Sequence, residues 1–322
     1  MDFQLSDDQR ALRSGMRDLL GAAFDRDGLR AAVERGGGVD RGLWRELGAA
    51  GFFALRLPEE SGGVGLGLPE AVLLFEEAGR ALLPGPLVAT HLAAGLVKGA
   101  AEGEAVVTAS QGGGLPVADL RGADAVLVAG GVLTGEELAA FVAGARPVRS
   151  MDPLTPLHRA EGLVAAAEAY PGALRGEGAL LTAAEQLGSA ARTTEMAVQH
   201  ARTRAQFGSL IGSFQAVKHL CADMLARTEP ARGAVYAAAV TGDPVEIAAA
   251  KLLADDAAVR NARDCLQIHG GMGFTWEADV HLHLKRAWLR AARWLSAAEA
   301  EEILAAGLGP VRPLYGGSAA LG

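Results

Sequence analysis

From about Ala166 to Gly307, apolar residues return at the spacing of a helical turn, and few glycines or prolines interrupt them. Leu187, Ala191, Thr194, Val198 and Ala201 mark one face of a helix predicted over Leu180 to Thr203. A second helix is predicted from Phe214 to Arg227, stopping ahead of Pro230. A third opens at Asp243-Pro244, where proline suits a first turn, and runs to about Gln267. A fourth covers Asp279 to about Arg293, and a fifth follows from Ala297. Long helices joined by short turns bury their apolar faces by packing side by side as a bundle. Abundant Ala and Leu with only 5% aromatic residues favour helix over sheet.

The first hundred residues also read as helical. Ser6 is a natural N-cap, with Asp7 and Asp8 in the first turn and Leu12, Met16, Leu19 and Leu20 at helical spacing. Leu43, Trp44, Leu47 and Ala50 outline a helix that stops near Gly51. The loop from Leu57 to Gly67 is dense in glycine, but no strand precedes it, so it is not a dinucleotide fingerprint. Another helix runs from Glu70 through Leu73, Leu74, Glu77 and Ala78 and ends before Pro84-Gly-Pro86. Between 101 and 165 the pattern changes. Ala105–Ala109, Ala125–Ala129 and Phe141–Pro147 read as short strands, and Asp152 to Thr155 as a turn. A mainly α chain results, divided as 1–100 helical, 101–165 a small β-region and 166–322 a helical bundle.

Composition removes other classes. A formal net charge of −8 leaves no basic stripe for nucleic acid. Cys221 and Cys265 are the only cysteines, too few for a disulfide framework or a zinc site, which fits a reducing cytoplasm. Met1 runs directly into Asp2 and an amphipathic helix, so no signal peptide is expected. The longest apolar runs are broken well short of a membrane span.

Chemistry concentrates at two segments. Arg204-Ala-Gln-Phe207-Gly208 ends one helix, and Gly212, Phe214 and Gln215 open the next. Gln267-Ile-His-Gly270-Gly271-Met-Gly-Phe274 follows on the third helix. Arginine grips phosphate bidentately, and glycine lets backbone N–H groups come close, so such a helix–helix corner suits a flat anionic ligand. Read alone, it is better explained as a helical turn with a surface Arg. Together the two segments resemble the flavin-contacting motifs of the acyl-CoA dehydrogenase family. The N-terminal order of Trp-bearing helix, Pro58-Glu-Glu-x-Gly-Gly loop, Glu76-Glu-x-Gly-Arg80 helix and Pro-x-Pro is similar to that family as well.

The resemblance implies FAD as cofactor. Arg204, Gly208, Gln215, Gln267, Gly270 and Gly271 would line its pyrophosphate–ribose path, with Phe207 near the adenine. Other parts of the pattern are missing. The family's Thr-Glu-Pro…Gly-Ser-Asp loop has only Val107-Thr108-Ala-Ser110 in its neighbourhood, and no Trp stands between Trp44 and Trp276 to lie beside the isoalloxazine. Desaturation of an acyl-CoA thioester also needs a carboxylate base. The common base position, counted from Phe274, falls on Trp294, followed by Leu295 rather than Gly. The alternative position falls on Gly178, with Glu177 beside it. Glu177 is therefore a weak catalytic candidate, and a charged residue in a helix's first turn is the favoured reading of it. Glu299, Glu301 and Glu302 lie on what reads as an exposed helix. His219 and His269 read as core or interface histidines. His281 and His283, two residues apart, share no helix face and make no metal pair. Lys285, Arg286, Arg290 and Arg293 offer cations to CoA phosphates or partner carboxylates, or else form a solvated face.

The pattern is similar to the base-lacking subunit of bacterial α2β2 acyl-CoA dehydrogenases, some of which act on steroid side chains or other bulky acids. Such a subunit would need a catalytic partner chain, an acyl-CoA substrate and electron-transfer flavoprotein or a similar acceptor. Two alternatives stand beside it: a self-sufficient homo-oligomeric dehydrogenase using Glu177, and a flavin-free scaffold or acyl-CoA-binding protein.

Overall fold

A computed structural model describes residues 4–112, 114–160 and 172–308. The first helix, α1 (Asp7–Ala23), starts with a full capping box: Ser6 Oγ accepts from the Gln9 N–H, and Gln9 Oε1 accepts from the Ser6 N–H. A helix unforeseen in the sequence, α2 (Arg26–Glu34), follows under an Asp25 cap and buries Leu29, Ala32 and Val33. Next come α3 (Arg41–Ala49), α4 (Leu68–Arg80) and the short α5 (Leu87–Leu92).

The pivot of this region is α4, buried from Ala71 through Gly79. Its Glu76-Glu77-Ala-Gly-Arg80 run serves three neighbours. Glu76 accepts from the Tyr236 hydroxyl at 2.7 Å and pairs with Arg232. Glu77 holds Arg17 of α1 at 2.6 and 2.8 Å. Gly79 lies so near α7 (Gly172–Thr203) that an added Cβ would sit 2.0 Å from the Glu185 carbonyl oxygen. Gly188 returns the contact, its Cβ position 1.9 Å from the Glu76 carbonyl oxygen. Glycine at both crossing points is what lets two backbones touch.

Six short strands form the middle region. β1 (Val107–Ala109) pairs parallel with β3 (Ala125–Val128), which pairs antiparallel with β4 (Gly131–Leu133). β2 (Val117–Ala118), β6 (Leu157–Ala160) and β5 (Ala145–Val148) make a second, antiparallel sheet in that order. The strand expected over Phe141–Pro147 is half helix. Phe141 belongs to α6 (Gly135–Ala143), whose Leu138, Phe141 and Val142 reach the same small core at helical spacing.

The C-terminal helices are α7, α8 (Gln215–Thr241), α9 (Pro244–His269), α10 (Val280–Ala291) and α11 (Ala297–Gly307). α9 packs on all the others, and α7 on α8 and α10, so the antiparallel bundle is as expected. Two boundaries differ from expectation. α7 is already helical at Gly172, so Glu177 lies within it rather than at its start. α8 passes through Pro230 instead of stopping before it. Pro230 is exposed, while Thr228, Ala231 and Val235 on the other side are buried. Packing on both sides of the proline outweighs the loss of one hydrogen bond, about 3 kcal/mol with the ring's clash.

Candidate functional site

The segments 204–215 and 267–274 come together at one end of the bundle. α7 and α9 end side by side, with the rings of His200 and His269 stacked at 4.1 Å. After Thr203 the chain does not turn a helical corner but makes a tight β-hairpin. Ala205 (β7, Ala205–Gln206) pairs with Leu210 (β8, Ser209–Leu210), and Gln206 with Ser209. Phe207 and Gly208 form the two-residue turn with φ of 53° and 77°. Positive φ at both turn residues is the hairpin turn that matches strand twist; Gly208 takes it freely, Phe207 at a cost.

That geometry presents the hairpin outward. The Phe207 side chain is 92% exposed and meets Phe214 edge-to-face at 6.3 Å. The Arg204 backbone is held on both sides, its N–H donating to the His200 carbonyl and its carbonyl accepting from the Ile211 N–H, while the side chain is exposed. Gln215, also exposed, opens α8, whose N-terminus has no side-chain cap. The first N–H groups of α8 are thus left for water or an anion. Across the stacked histidines, Gln267 is exposed near the end of α9, and Gly270 leaves the helix at φ 60°. A Cβ added to Gly270 or Gly271 would meet nothing within 4 Å. Gly270 is explained by its φ, whereas Gly271 has no internal packing reason and keeps open space in front of it. Exposed cation, uncapped helix end and bare glycine backbone together fit the diphosphate of a dinucleotide.

The opposite side of the bundle is closed. Gly178 and Trp294, the two positions where the sequence comparison sought a base, touch each other. A Cβ on Gly178 would lie 2.3 Å from the Trp294 indole, so the ring rests directly on the glycine. Trp294 is 6% exposed and held at φ 62°. Its backbone N–H donates to Gln111 Oε1 at 2.9 Å, and its backbone carbonyl accepts from Arg175 Nε at 2.7 Å. Beside it lies a cavity of about 90 Å³ between α5, β1, α7 and α10. Glu185, Asp119, Arg290 and Arg293 line it, with Thr182 and Gln111. Arg290 donates to Glu185 at 2.7 Å. Burial pushes the Glu185 carboxyl up against the pull of Arg290 and Arg286, and it pushes Asp119 up to about 7. Burial also lowers Arg290 to about 10.

Comparison with known proteins agrees with this architecture. Residues 6–102 match the acyl-CoA dehydrogenase N-terminal domain, and residues 175–300 match the acyl-CoA dehydrogenase C-terminal domain. Acyl-CoA dehydrogenase IpdE2 of Mycobacterium tuberculosis is 36% identical over 296 residues, covering 87% of this chain and 91% of that protein. The chain belongs to the acyl-CoA dehydrogenase family. Among solved structures, the ChsE4–ChsE5 complex from Mycobacterium tuberculosis aligns with TM-score 0.78 and 23% identity, over 97% of this chain and 100% of that one. The Tcur3481–Tcur3483 steroid ACAD aligns with TM-score 0.78 and 22% identity, over 94% of this chain and 99% of that one. These likenesses show the shared fold.

Within this acyl-CoA dehydrogenase fold, Glu177 forms a half-buried pair with Arg56, at 2.7 and 3.2 Å. His219 is exposed, and the His283 ring is hydrogen-bonded to Ser189 at 2.8 Å inside the core. His281 stacks on Trp276 at 5.0 Å. Glu299 caps α11 and pairs with Arg175, while Glu301 and Glu302 are exposed. The α10 cations are neither a solvated face nor an open phosphate site. Arg286 is 3% exposed, donates to Asp152 at 2.8 Å and to the Leu83 carbonyl at 2.8 Å. Arg290 is 6% exposed, and only Lys285 reaches outward, lying over the Trp276 ring at 4.7 Å. Sequence reasoning missed Asp119 altogether. Its signal was slight: an aspartate directly after the two-residue strand Val117–Ala118, between the stretches read as strands.

No helix of the described residues is long and apolar enough to cross a membrane. Nor does any group of His, Cys, Asp and Glu among the described residues have the makings of a metal site.

Proposed function

We propose that this chain is the base-lacking subunit of an FAD-dependent acyl-CoA dehydrogenase and completes the flavin site of a catalytic partner chain. The observation that carries the reading is the indole of Trp294 resting on Gly178. Proton abstraction from an acyl thioester needs a carboxylate tuned toward neutral pH at the reacting carbon. Both positions where this family would keep one are here occupied by each other, and Glu177 beside them is neutralised by Arg56. FAD, when bound, supplies acceptance of the hydride leaving the acyl chain. This chain's part is to hold the other end of that cofactor.

Arg204 would donate to the diphosphate, with the uncapped N-terminus of α8 and Gln215 aimed at the same charge. Gln267, Gly270 and Gly271 would let the ribose and diphosphate lie against bare backbone, and Phe207 with Phe214 would cover the adenine. An exposed Phe207 at positive φ is costly for a lone chain, and a second subunit would account for it by covering the hairpin. A heterotetramer of two such pairs follows, its acyl group bulky, in keeping with the steroid ACAD among the structural likenesses, and electron-transfer flavoprotein or a similar acceptor taking the electrons.

Co-purification tests this. Expressed alone the chain should be nearly colourless, and expressed with its partner it should give a yellow complex that desaturates acyl-CoA. A lone chain that carries stoichiometric FAD and turns over acyl-CoA would overturn the proposal and favour the self-sufficient reading.

A further inference from the structure

The last turns of α7 and α9 lie side by side, and each carries a histidine there, His200 and His269. The two rings stack at 4.1 Å with 18° between their planes, and both residues are half-buried. Arg204 follows His200 by one turn, its N–H donating to the His200 carbonyl, and Gly270 follows His269 directly. The pair therefore stands between the two arms of the corner proposed to hold a flavin diphosphate.

Two helix C-termini at that corner pose an electrostatic problem. Each carries a partial negative charge of about one half, close to the place where a dianion would lie. Arg204 and the N-terminus of α8 offset part of it. A proton on the histidine pair would offset more, and a helix C-terminus favours a protonated histidine. The tautomer leaves a position for that proton. His269 Nδ1–H donates to the Cys265 carbonyl at 2.8 Å, so the neutral ring has its lone pair on Nε2. A second proton would set two cations 4.1 Å apart, so the pair titrates as a unit and takes up one.

The surroundings set the sign. Burial, and then the nearness of His269 and Arg204, lower the His200 pKa, so this imidazole is neutral at neutral pH in the chain by itself. Arg192 of α7 and Asp264 of α9 act on Cys265 next to the pair, and Asp264 is itself paired with Arg227 of α8. α8 brings Val217, Leu220 and Cys221 to this core, the thiol pKa raised by burial, while its Lys218 and His219 stay exposed. α10 brings Val280 and Leu284, and neither the hairpin nor the segment Gly270–Phe274 carries a charge. A diphosphate entering this set adds strong negative charge and raises the proton affinity of the stack.

On the reading of this corner as a flavin site, we propose that the His200–His269 stack couples cofactor binding to protons: the diphosphate binds together with one proton taken up by the pair, and cofactor retention strengthens on mild acidification.

Calorimetry of FAD binding to the flavin-free complex with the catalytic partner tests this. Runs in PIPES and in imidazole, which differ in ionisation enthalpy, count the protons taken up, and the diphosphate diester of FAD keeps both its charges throughout. The wild-type complex should take up about half to one proton near pH 7 and bind FAD about fivefold or more tightly at pH 6 than at pH 8, within the tenfold per unit that one proton allows. The double variant His200→Phe, His269→Phe keeps two rings in the stack and no place for the proton. Its uptake should vanish and its affinity stay level across that range, and His200→Gln with His269→Gln carries the same expectation should the Phe pair fail to fold. No uptake by the wild type, or equal uptake by a folded double variant, would overturn the proposal and leave the flavin reading in place. A wild-type complex that binds no FAD at any pH would overturn that reading itself, and this proposal with it.

Discussion

Asp119→Asn should make the protein more stable than wild type at neutral and alkaline pH and leave it nearly unchanged near pH 4. The Asp119 carboxyl is buried, and burial raises its pKa to about 7 against an ordinary value of 3.8. Arg286 and Arg293 pull it down and Asp152 pushes it further up, but desolvation dominates. The folded state therefore holds a proton that the unfolded chain gives up as the pH rises past 4. Because the folded state binds more protons in that window, stability falls with rising pH between about 4 and 7 and is level above. A shift of this size corresponds to about 4 kcal/mol, or 1.4 kcal/mol for each pH unit crossed. Other groups titrate in the same range, notably His283, which burial lowers to about 3. That imidazole must stay neutral, so it costs stability as the pH falls below its unfolded value. The difference between wild type and Asp119→Asn cancels such terms. Urea unfolding of both proteins from pH 4 to 8 gives that difference directly. A flat difference curve would mean that Asp119 is ionised throughout, paired with Arg293, and would refute burial as the dominant effect.

Two further outcomes bear on the site. Glu177→Gln should leave turnover of the flavin-loaded complex within a few-fold of wild type and cost at most about 1 kcal/mol of stability, the worth of a half-exposed pair with Arg56. A drop of about 10²–10⁴ in turnover with flavin retained would instead make Glu177 the base. Arg204→Ala should lower FAD affinity of the complex about tenfold or more, because each charge-assisted bond to a diphosphate is worth about 1.5–3 kcal/mol. The helical circular dichroism should persist, and unchanged flavin content would reduce Arg204 to a surface residue.

Elements whose signal is local were legible in the sequence. The Ser6 cap and the Asp243-Pro244 start of α9 act within a turn or two, and both stand as read; the buried face of α7 runs through Ala190, Thr193 and Ala197, one residue off the face read from Ala191, Thr194 and Val198. Features set by distant partners were not. Arg286 and Arg290 look like solvent-facing charges on a short helix because their carboxylates, Asp152 and Glu185, lie 134 and 105 residues away. Likewise Arg56 meets Glu177 across 121 residues, so nothing near Glu177 announces that its charge is spent. The hairpin at Phe207-Gly208 escaped because phenylalanine seldom takes positive φ, and Pro230 misled because its cost was weighed without the packing on either side. The Glu76-to-Arg80 run shows a middle case. Its pattern was recognisable, but only the fold reveals that Glu76, Glu77 and Gly79 answer three different helices, α8, α1 and α7.

The loss of a base at Gly178 and Trp294 is not a pair of independent gaps. A glutamate placed at 178 would project its Cβ into the indole at 2.3 Å, so it could enter only if Trp294 moved away. A glutamate placed at 294 would inherit a backbone at φ 62°, in a cavity wall shared with Arg290 and Arg293. Cations so near would hold it ionised and lower its pKa, the opposite of what a base tuned toward neutrality requires. Removal of the indole would also open a void over Gly178, costing about 3–5 kcal/mol as large aromatic deletions do. Each half of the contact thus stabilises the other against reversal. A chain so arranged can return to proton abstraction only by several coordinated changes, whereas its exposed corner remains available to another chain. On the proposed function, a partner chain would bring the carboxylate that this arrangement excludes.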